Sequence, residues 1–180
     1  MNRMKGGAPL SEREAPEPPL GGFFHLARIG SGAVALTDER GRIRLMHEVR
    51  VRIRWRDIDN YGHVNNAVYL NYLEECRDRL VEALFGADEA WDFVLARVAI
   101  DYRRPLTQTD EEIGVRCGVA GIGNSSVRTW EQIVLGDGSV AAESESVIVP
   151  RDRLTGRSRP LTDRERIVLQ SDLDAGRTLP

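Results

Sequence analysis

The hydrophobic period of this chain changes across a single junction, residues 57–66. Before the junction, apolar residues recur at every second position, which is typical of a half-buried β-strand. After it, they recur every three or four positions over about 20 residues, a pattern that indicates an unusually long amphipathic helix. Such a helix must follow the strand directly, and it needs a wide apolar surface to cover.

The strand before the junction is predicted to bury one face only. Its inner face carries Val49, Val51, Ile53 and Trp55, and its outer face carries Arg50, Arg52, Arg54 and Arg56. Alternation alone produces an outer row of this kind. We therefore interpret the arginines as a solvated face rather than as a phosphate-binding site.

The helix after the junction is predicted to bury one stripe, formed by Tyr69, Tyr72, Leu73, Cys76, Leu80, Ala83 and Leu84. Asn65 or Asn66 is a good N-cap, because its side-chain oxygen can accept from the amides of the first turn. Gly86 is suited to end the helix. Glu75 and Arg79 stand four residues apart in the order that favours an ion pair.

Four further strands are predicted after the helix, at residues 96–102, 113–119, 127–135 and 140–149, followed by a short helix at 162–169. Turn signals at 121–124 and 136–138 join the last three strands, which should therefore pair antiparallel. The order favours the α+β class, with an antiparallel five-stranded sheet wrapped around one long central helix.

The 180 residues suit one main domain, which we assign to residues 46–170. Residues 1–45 are rich in proline and glycine and are predicted to be a partly disordered extension, with a weak hairpin around residues 38–41. We hypothesise that Met46 is the natural start or that this extension is dispensable. Residues 171–180 are predicted to be a C-terminal tail.

Composition excludes several classes of function. The net charge is −3 and no basic cluster lies beyond the strand arginines, which argues against nucleic acid as a partner. No apolar run approaches the ~20 residues that cross a membrane. Cys76 and Cys117 are predicted to be core residues rather than a disulfide or metal ligands, so no metal or cofactor is expected. The cytoplasm is the expected compartment.

The junction also carries chemistry. It reads WRDIDNYGHVNNAVYLNYLEECR at 55–77, and VAIDYRRPLTQTDEE at 98–112, GIGNSSV at 121–127, GDGSVAAESESVIV at 136–149 and GRSRPL at 156–161 follow in order. Together these segments resemble the hotdog-fold thioesterases, in the branch typified by 4-hydroxybenzoyl-CoA thioesterase. The resemblance runs from about His47 to Leu169.

The resemblance implies a helix wrapped by an antiparallel sheet, assembled into homodimers or homotetramers with active sites between subunits. It also implies cleavage of acyl-CoA thioesters by Asp59, as general base or as nucleophile, with the backbone amide of Asn66 as oxyanion donor. His63 either orients water or substrate or holds the loop. Asp57 is expected to stabilise the turn rather than to react.

Other positions are candidates for substrate binding. Tyr61, Gly62 and Asn65 surround the expected carboxylate, and Gly62 is expected to adopt a backbone conformation that other residues avoid. Arg103, Arg104, Ser125 and Ser126 are candidates for the phosphates of coenzyme A.

Two alternative functions stay open at this point: an acyl-ACP thioesterase, with acyl carrier protein as a partner, and a non-catalytic acyl-CoA-binding module. The identity of the acyl group is not determined by the sequence.

Overall fold

The computed structural model describes the backbone of residues 25–29, 33–37, 43–86 and 92–175. The strands are β1 (His25–Ile29), β2 (Ala33–Thr37), β3 (Ile43–Arg52), β4 (Phe93–Tyr102), β5 (Glu112–Ile122), β6 (Val127–Val134) and β7 (Val140–Pro150). The helices are α1 (Asn66–Phe85) and α2 (Asp163–Ala175), with short 3₁₀ turns at Trp55–Asp57 and Gln108–Asp110.

The strands form one antiparallel sheet in the order β1-β2-β3-β5-β6-β7-β4. The five predicted strands correspond to β3 through β7, and the predicted antiparallel pairing of the last three is confirmed. β1 and β4 therefore form the two edges of the sheet within the described residues. The α+β hotdog architecture predicted from the sequence is confirmed.

Two strands lie inside the predicted N-terminal extension. β2 pairs with β3 from Thr37 opposite Ile43 to Ala33 opposite His47, so the weak hairpin predicted around residues 38–41 corresponds to this pair. Residues 38–42 themselves lie outside the described residues. β3 begins at Ile43, three residues before the boundary assigned to the main domain, and the Met46 side chain is fully buried.

The long helix packs its apolar stripe across β3 and β5. Asn65 caps it, with its side-chain oxygen accepting from the Ala67 amide at 2.9 Å, and Gly86 ends it at a φ of +87°. The helix spans 20 residues, as predicted. The thiol of Cys76 donates to backbone carbonyls of β3 and β5, so it lies at the centre of the helix–sheet contact.

Some details of the predicted burial were wrong. Trp55 is 86% exposed, because the chain leaves the sheet after Arg52 and Trp55 is the first residue of a 3₁₀ helix. Ala83 is exposed at the end of the helical stripe. Arg79 pairs with Glu82 at 2.6 Å rather than with Glu75.

A buried ion pair lies beside the apolar stripe of α1. Arg77 on α1 lies 3.1 Å from Glu131 on β6, and both side chains are buried. Thr129 and Ser146 each donate a hydroxyl hydrogen bond of 2.9 Å to the same carboxylate. The apolar period of the helix predicted the flanking residues but not a charged one between them.

The second helix is longer than predicted. α2 runs from Asp163 to Ala175, so residues 171–175 are helical rather than part of a tail. Glu165 accepts the Thr162 amide at 2.7 Å, and the Thr162 hydroxyl accepts the Glu165 amide, which forms a capping box. α2 packs on β3 and β5 beside α1.

Candidate active site

The junction between β3 and α1 folds as a tight loop. Ile58 and Val64 form an isolated antiparallel bridge, and the Asp59 amide donates to the His63 carbonyl at 2.9 Å. Gly62 stands at a φ of +81°, and a Cβ added there would meet no atom within 4 Å. The backbone conformation, rather than crowding, therefore requires glycine, as predicted.

The carboxylate of Asp59 is half-buried in this loop. One of its oxygens accepts the Tyr61 amide at 2.8 Å, which fixes the side chain as an Asx turn. Among the described residues, no donor reaches the other oxygen. The side chain is thus oriented by one bond and retains an oxygen that can accept a proton or attack a carbon.

The start of α1 places one backbone amide next to this loop. The Asn65 amide donates to the Asp57 carbonyl, and the Ala67 and Val68 amides both donate to Asn65. The Asn66 amide has no acceptor within the described residues. A first-turn amide of this kind carries part of the positive end of the helix dipole, so it can bind an oxyanion.

One cleft of about 570 Å³ collects most of the predicted site residues. Those that line it are Asp59, Tyr61, His63, Asn65, Asn66, Arg103 and Arg104. Gly62 belongs to the same loop. The chain therefore brings the carboxylate, the free helical amide and two guanidinium groups to one surface depression, although residues 103 and 104 are distant from the loop in sequence.

Ser125 and Ser126 lie elsewhere in the single chain. They occupy the turn between β5 and β6, where the Gly123 amide donates to the Ser126 carbonyl. The neighbouring Asn124 accepts hydrogen bonds from Arg166 on α2. The chain does not bring these two serines to the cleft.

Four cleft residues were missed by sequence reasoning: Val64, Tyr69, Tyr102 and Pro105. Tyr69 was assigned to the core of the helix, and its hydroxyl accepts the Leu106 amide at 3.0 Å. Its ring meets that of Tyr102 edge to face, with centroids 5.0 Å apart. The sequence signal that could have identified Tyr102 as a cleft residue is its position directly before the two arginines.

The two arginines already have carboxylate partners. Arg103 contacts Glu143 at 3.1 Å and Asp101 at 3.5 Å, and Arg104 contacts Asp110 at 3.4 Å. Both guanidinium groups are nevertheless about half exposed. Exposed ion pairs of this kind are weak, so an incoming phosphate can compete for the guanidinium groups.

Asp57 has the structural role predicted for it. Its side chain is 6% exposed, and one oxygen accepts both the Arg54 amide at 2.8 Å and the Tyr72 hydroxyl at 2.7 Å. Burial first, and then this hydrogen bond, raise the pKa of the Tyr72 hydroxyl. Tyr72 therefore remains a donor at neutral pH and ties α1 to the loop.

Neither cysteine contributes to the cleft. Cys76 and Cys117 are both free and buried, as predicted, and burial raises the pKa of the Cys117 thiol well above its usual range.

In the described part of the chain, no cluster of three His, Cys, Asp or Glu side chains is arranged to hold a metal ion. No helix among the described residues is long and apolar enough to span a membrane.

Comparison with known proteins shows the family of this chain. The family model described as the thioesterase-like superfamily matches residues 53–169, which include the loop, α1, the cleft arginines and most of α2. This chain belongs to that superfamily. The resemblance noted in the sequence is therefore confirmed at the level of the family.

Individual superfamily members are similar over different lengths. The long-chain acyl-CoA thioesterase FadM of Escherichia coli is 36% identical over 70 residues, or 35% of this chain, and the match spans 51% of FadM itself. A predicted thioesterase from Bacillus stearothermophilus has a TM-score of 0.64 at 29% identity, covering 71% of this chain and 96% of its own.

A third relative is a solved structure with a ligand. The thioesterase from Thermus thermophilus, complexed with coenzyme A and zinc, has a TM-score of 0.61 at 37% identity. The alignment covers 69% of this chain and 92% of that one. The similarity to this superfamily member thus extends over nearly its whole length.

Proposed function

We propose that this protein hydrolyses acyl-CoA thioesters to a free acid and coenzyme A, with Asp59 as the catalytic carboxylate. One observation carries the proposal: the Asp59 side chain and the Asn66 residue, whose amide has no acceptor among the described residues, line the same cleft. The thioesterases among the relatives, one named for acyl-CoA and one solved with coenzyme A, support the choice of substrate.

In this mechanism the thioester carbonyl oxygen accepts the Asn66 amide hydrogen bond. As the carbon becomes tetrahedral, negative charge develops on that oxygen, and the amide and helix dipole stabilise it. The amide is held in place before the substrate arrives, because the Asn65 cap already orders the first helical turn. Loss of one such donor typically costs about 10²–10³ in kcat.

Asp59 acts in one of two ways. As a general base it removes a proton from water as the water oxygen adds to the carbonyl carbon; the carbon–sulfur bond then breaks, and Asp59 returns the proton to the departing sulfur to release the thiol. As a nucleophile it displaces the thiol itself, and water then hydrolyses the mixed anhydride. Rapid acid quenching followed by peptide mass spectrometry separates the routes, since only the second leaves an acyl group on Asp59.

The remaining loop residues orient the reactants. His63 is exposed and lines the cleft, and no partner for its imidazole lies among the described residues, which suits a role in orienting water or the carbonyl. Tyr61 contributes its amide to Asp59 and its ring to the cleft. Gly62 permits the turn, and Asn65 orders the helical amide.

Arg103 and Arg104 are proposed to bind the phosphates of coenzyme A. Both line the cleft, and guanidinium groups suit phosphate oxygens in geometry and charge. We expect Arg104→Gln to raise KM for acyl-CoA but not for the matching acyl-pantetheine, which lacks the nucleotide. Equal effects on both substrates would contradict this role. Ser125 and Ser126 stay candidates only for a site that another subunit completes.

The central test is a thiol-release assay with Asp59→Asn. The substitution removes the charge at constant size, so we expect the fold to remain and kcat to fall by about 10²–10⁴. Asp163→Asn is the matched control, because this exposed residue starts α2 and does not line the cleft. Near wild-type turnover in Asp59→Asn would remove the basis of the proposed site.

The same assay separates the alternatives. Binding of acyl-CoA without thiol release would leave only the binding-module function. Turnover of one acyl group on acyl carrier protein but not on coenzyme A would favour the carrier-protein thioesterase. That alternative requires a basic rim at the cleft. The exposed residues Arg50, Arg52 and Arg54 do not line it, so among the described residues the rim would rest on Arg103 and Arg104.

We also propose that two copies join through β4. This strand is a sheet edge, and Val94, Leu95 and Tyr102 on it are large apolar residues left substantially exposed. An edge of this kind can pair with a second copy and extend the sheet. Light scattering should give at least a dimer, and Leu95→Glu, which places a charge on this exposed apolar edge, should weaken it.

A further inference from the structure

The residues that line the cleft differ in exposure and charge from its bottom to its mouth. Its most buried lining residues are Val64 and Tyr69, each 2% exposed, whereas Arg103 and Arg104 are exposed. A substrate with a charged nucleotide end and an apolar acyl end therefore has one preferred orientation. The phosphates meet the arginines, and the acyl group is directed towards Val64 and Tyr69.

Tyr102 packs against Tyr69, the buried residue towards which the acyl group is directed, and it lines the same cleft. It is the last residue of β4, and its ring meets the Tyr69 ring edge to face at 84°. Its hydroxyl donates a hydrogen bond of 3.0 Å to the carbonyl oxygen of Asn66. The side chain thus bridges the edge strand and the first turn of α1, and it lies across the space between them.

This position is held from both ends. The Tyr69 hydroxyl is occupied by the Leu106 amide, and the Tyr102 hydroxyl by Asn66. Edge-to-face ring contacts at this separation are also favourable by themselves. Movement of Tyr102 out of the way would therefore break a hydrogen bond and a ring contact at once.

We propose that Tyr102 determines acyl specificity by limiting the length of the acyl group, an inference that rests on the proposed function. The wild-type protein accepts short or compact acyl groups, which end at the Tyr69–Tyr102 pair. Longer chains must displace the ring, so their kcat/KM is lower. Truncation of the side chain opens the gap between β4 and α1 and removes this limit.

The test is a series of straight-chain acyl-CoA substrates from four to sixteen carbons, assayed with wild type, Tyr102→Ala and Tyr102→Val. We expect the ratio of long-chain to short-chain kcat/KM to rise about tenfold or more in both variants. Tyr102 is 43% exposed, so the fold should tolerate truncation, and the β-branched valine suits a strand if alanine does not.

Val94→Ala is the matched control. This residue lies on the same edge strand and is similarly exposed, at 42%, but it does not line the cleft. If shortening an exposed side chain of β4 disturbs assembly, the variants at both positions should show it. A change in the preferred acyl length should appear only in the Tyr102 variants. Tyr102→Phe, which keeps the ring but loses the hydrogen bond, should shift the ratio less than alanine.

Two outcomes would overturn the inference: an unchanged length profile in the alanine and valine variants, or a wild-type protein that prefers the longest chains. Failure of the proposed function is separate, because it appears as full turnover in Asp59→Asn whatever the acyl group. If Asp59→Asn is inactive and the length profile is unchanged, only the role of Tyr102 is wrong.

Discussion

The Tyr72 hydroxyl donates a 2.7 Å hydrogen bond to the carboxylate of Asp57, joining the second turn of α1 to the 3₁₀ turn before it. The Asp57 carbonyl in turn accepts the Asn65 amide. Two bonds from one buried residue thus fix the loop against the start of the helix. The separation between Asp59 and the Asn66 amide depends on this connection.

Removing that hydroxyl should weaken the fold. We expect Tyr72→Phe to lower the free energy of unfolding by about 1–3 kcal/mol, because a buried carboxylate oxygen loses a donor. Asp57→Asn should have a similar effect, and the double variant should lose less than the sum, since the two residues share one bond. Urea denaturation measures all three, and full additivity would contradict a direct coupling.

The same bond should make stability fall at high pH. Burial and the bond to Asp57 raise the pKa of the Tyr72 hydroxyl above its ordinary 10.0. Above about pH 10 the unfolded chain therefore loses this proton while the folded chain keeps it, and the free energy of unfolding decreases as pH rises. Urea midpoints should stay level for this group up to about pH 9 and drop as the pH rises past about 10, with a shallower drop in Tyr72→Phe.

The buried pair of Arg77 and Glu131 predicts a contrast between single and double variants. Glu131→Gln leaves the buried guanidinium without its counter-charge, so we expect a loss of about 3–5 kcal/mol in the free energy of unfolding. Adding Arg77→Met should recover much of that loss, because the glutamine oxygen can still accept from one of the two hydroxyls, Thr129 or Ser146, and its NH2 group can donate to the other. A stable single variant would show that the pair contributes nothing.

Gly62 offers a test of the loop itself. Gly62→Ala should cost about 1–2 kcal/mol, because alanine avoids the positive φ that this residue adopts. Turnover should fall as well, since the strained loop shifts Asp59. Gly136→Ala is the control: it also has open space but no positive φ, and its stability should change by less than about 0.5 kcal/mol. Equal losses at both glycines would contradict the conformational argument.

Local features of the site were predictable from sequence. The capping role of Asn65, the need for glycine at position 62 and the hydrogen bond from the Arg54 amide to Asp57 depend on residues within a few positions of one another. Backbone conformation and capping follow rules of short range, so one segment of sequence contains the information. The predicted change from strand to helix therefore located the junction between β3 and α1 at the correct residues.

Contacts between distant segments were not predictable in the same way. The period of α1 could not indicate that Arg77 would meet Glu131, because both are charged residues in otherwise apolar patterns. Trp55 continued the alternation of its strand, but the sheet ends before it. In both cases the outcome depends on which strands pair and where pairing stops.

By itself, the sequence determined the order of β3 to β7 and the two helices, most of the buried stripe of α1 and the place of the loop between β3 and α1, since hydrophobic period and turn chemistry are local properties. Only the tertiary structure decided that Tyr102 and the two arginines border this loop, that β4 is an edge, and that Ser125 and Ser126 lie away from the cleft. These facts follow from strand order, which is settled by the joint packing of the whole sheet against its helices.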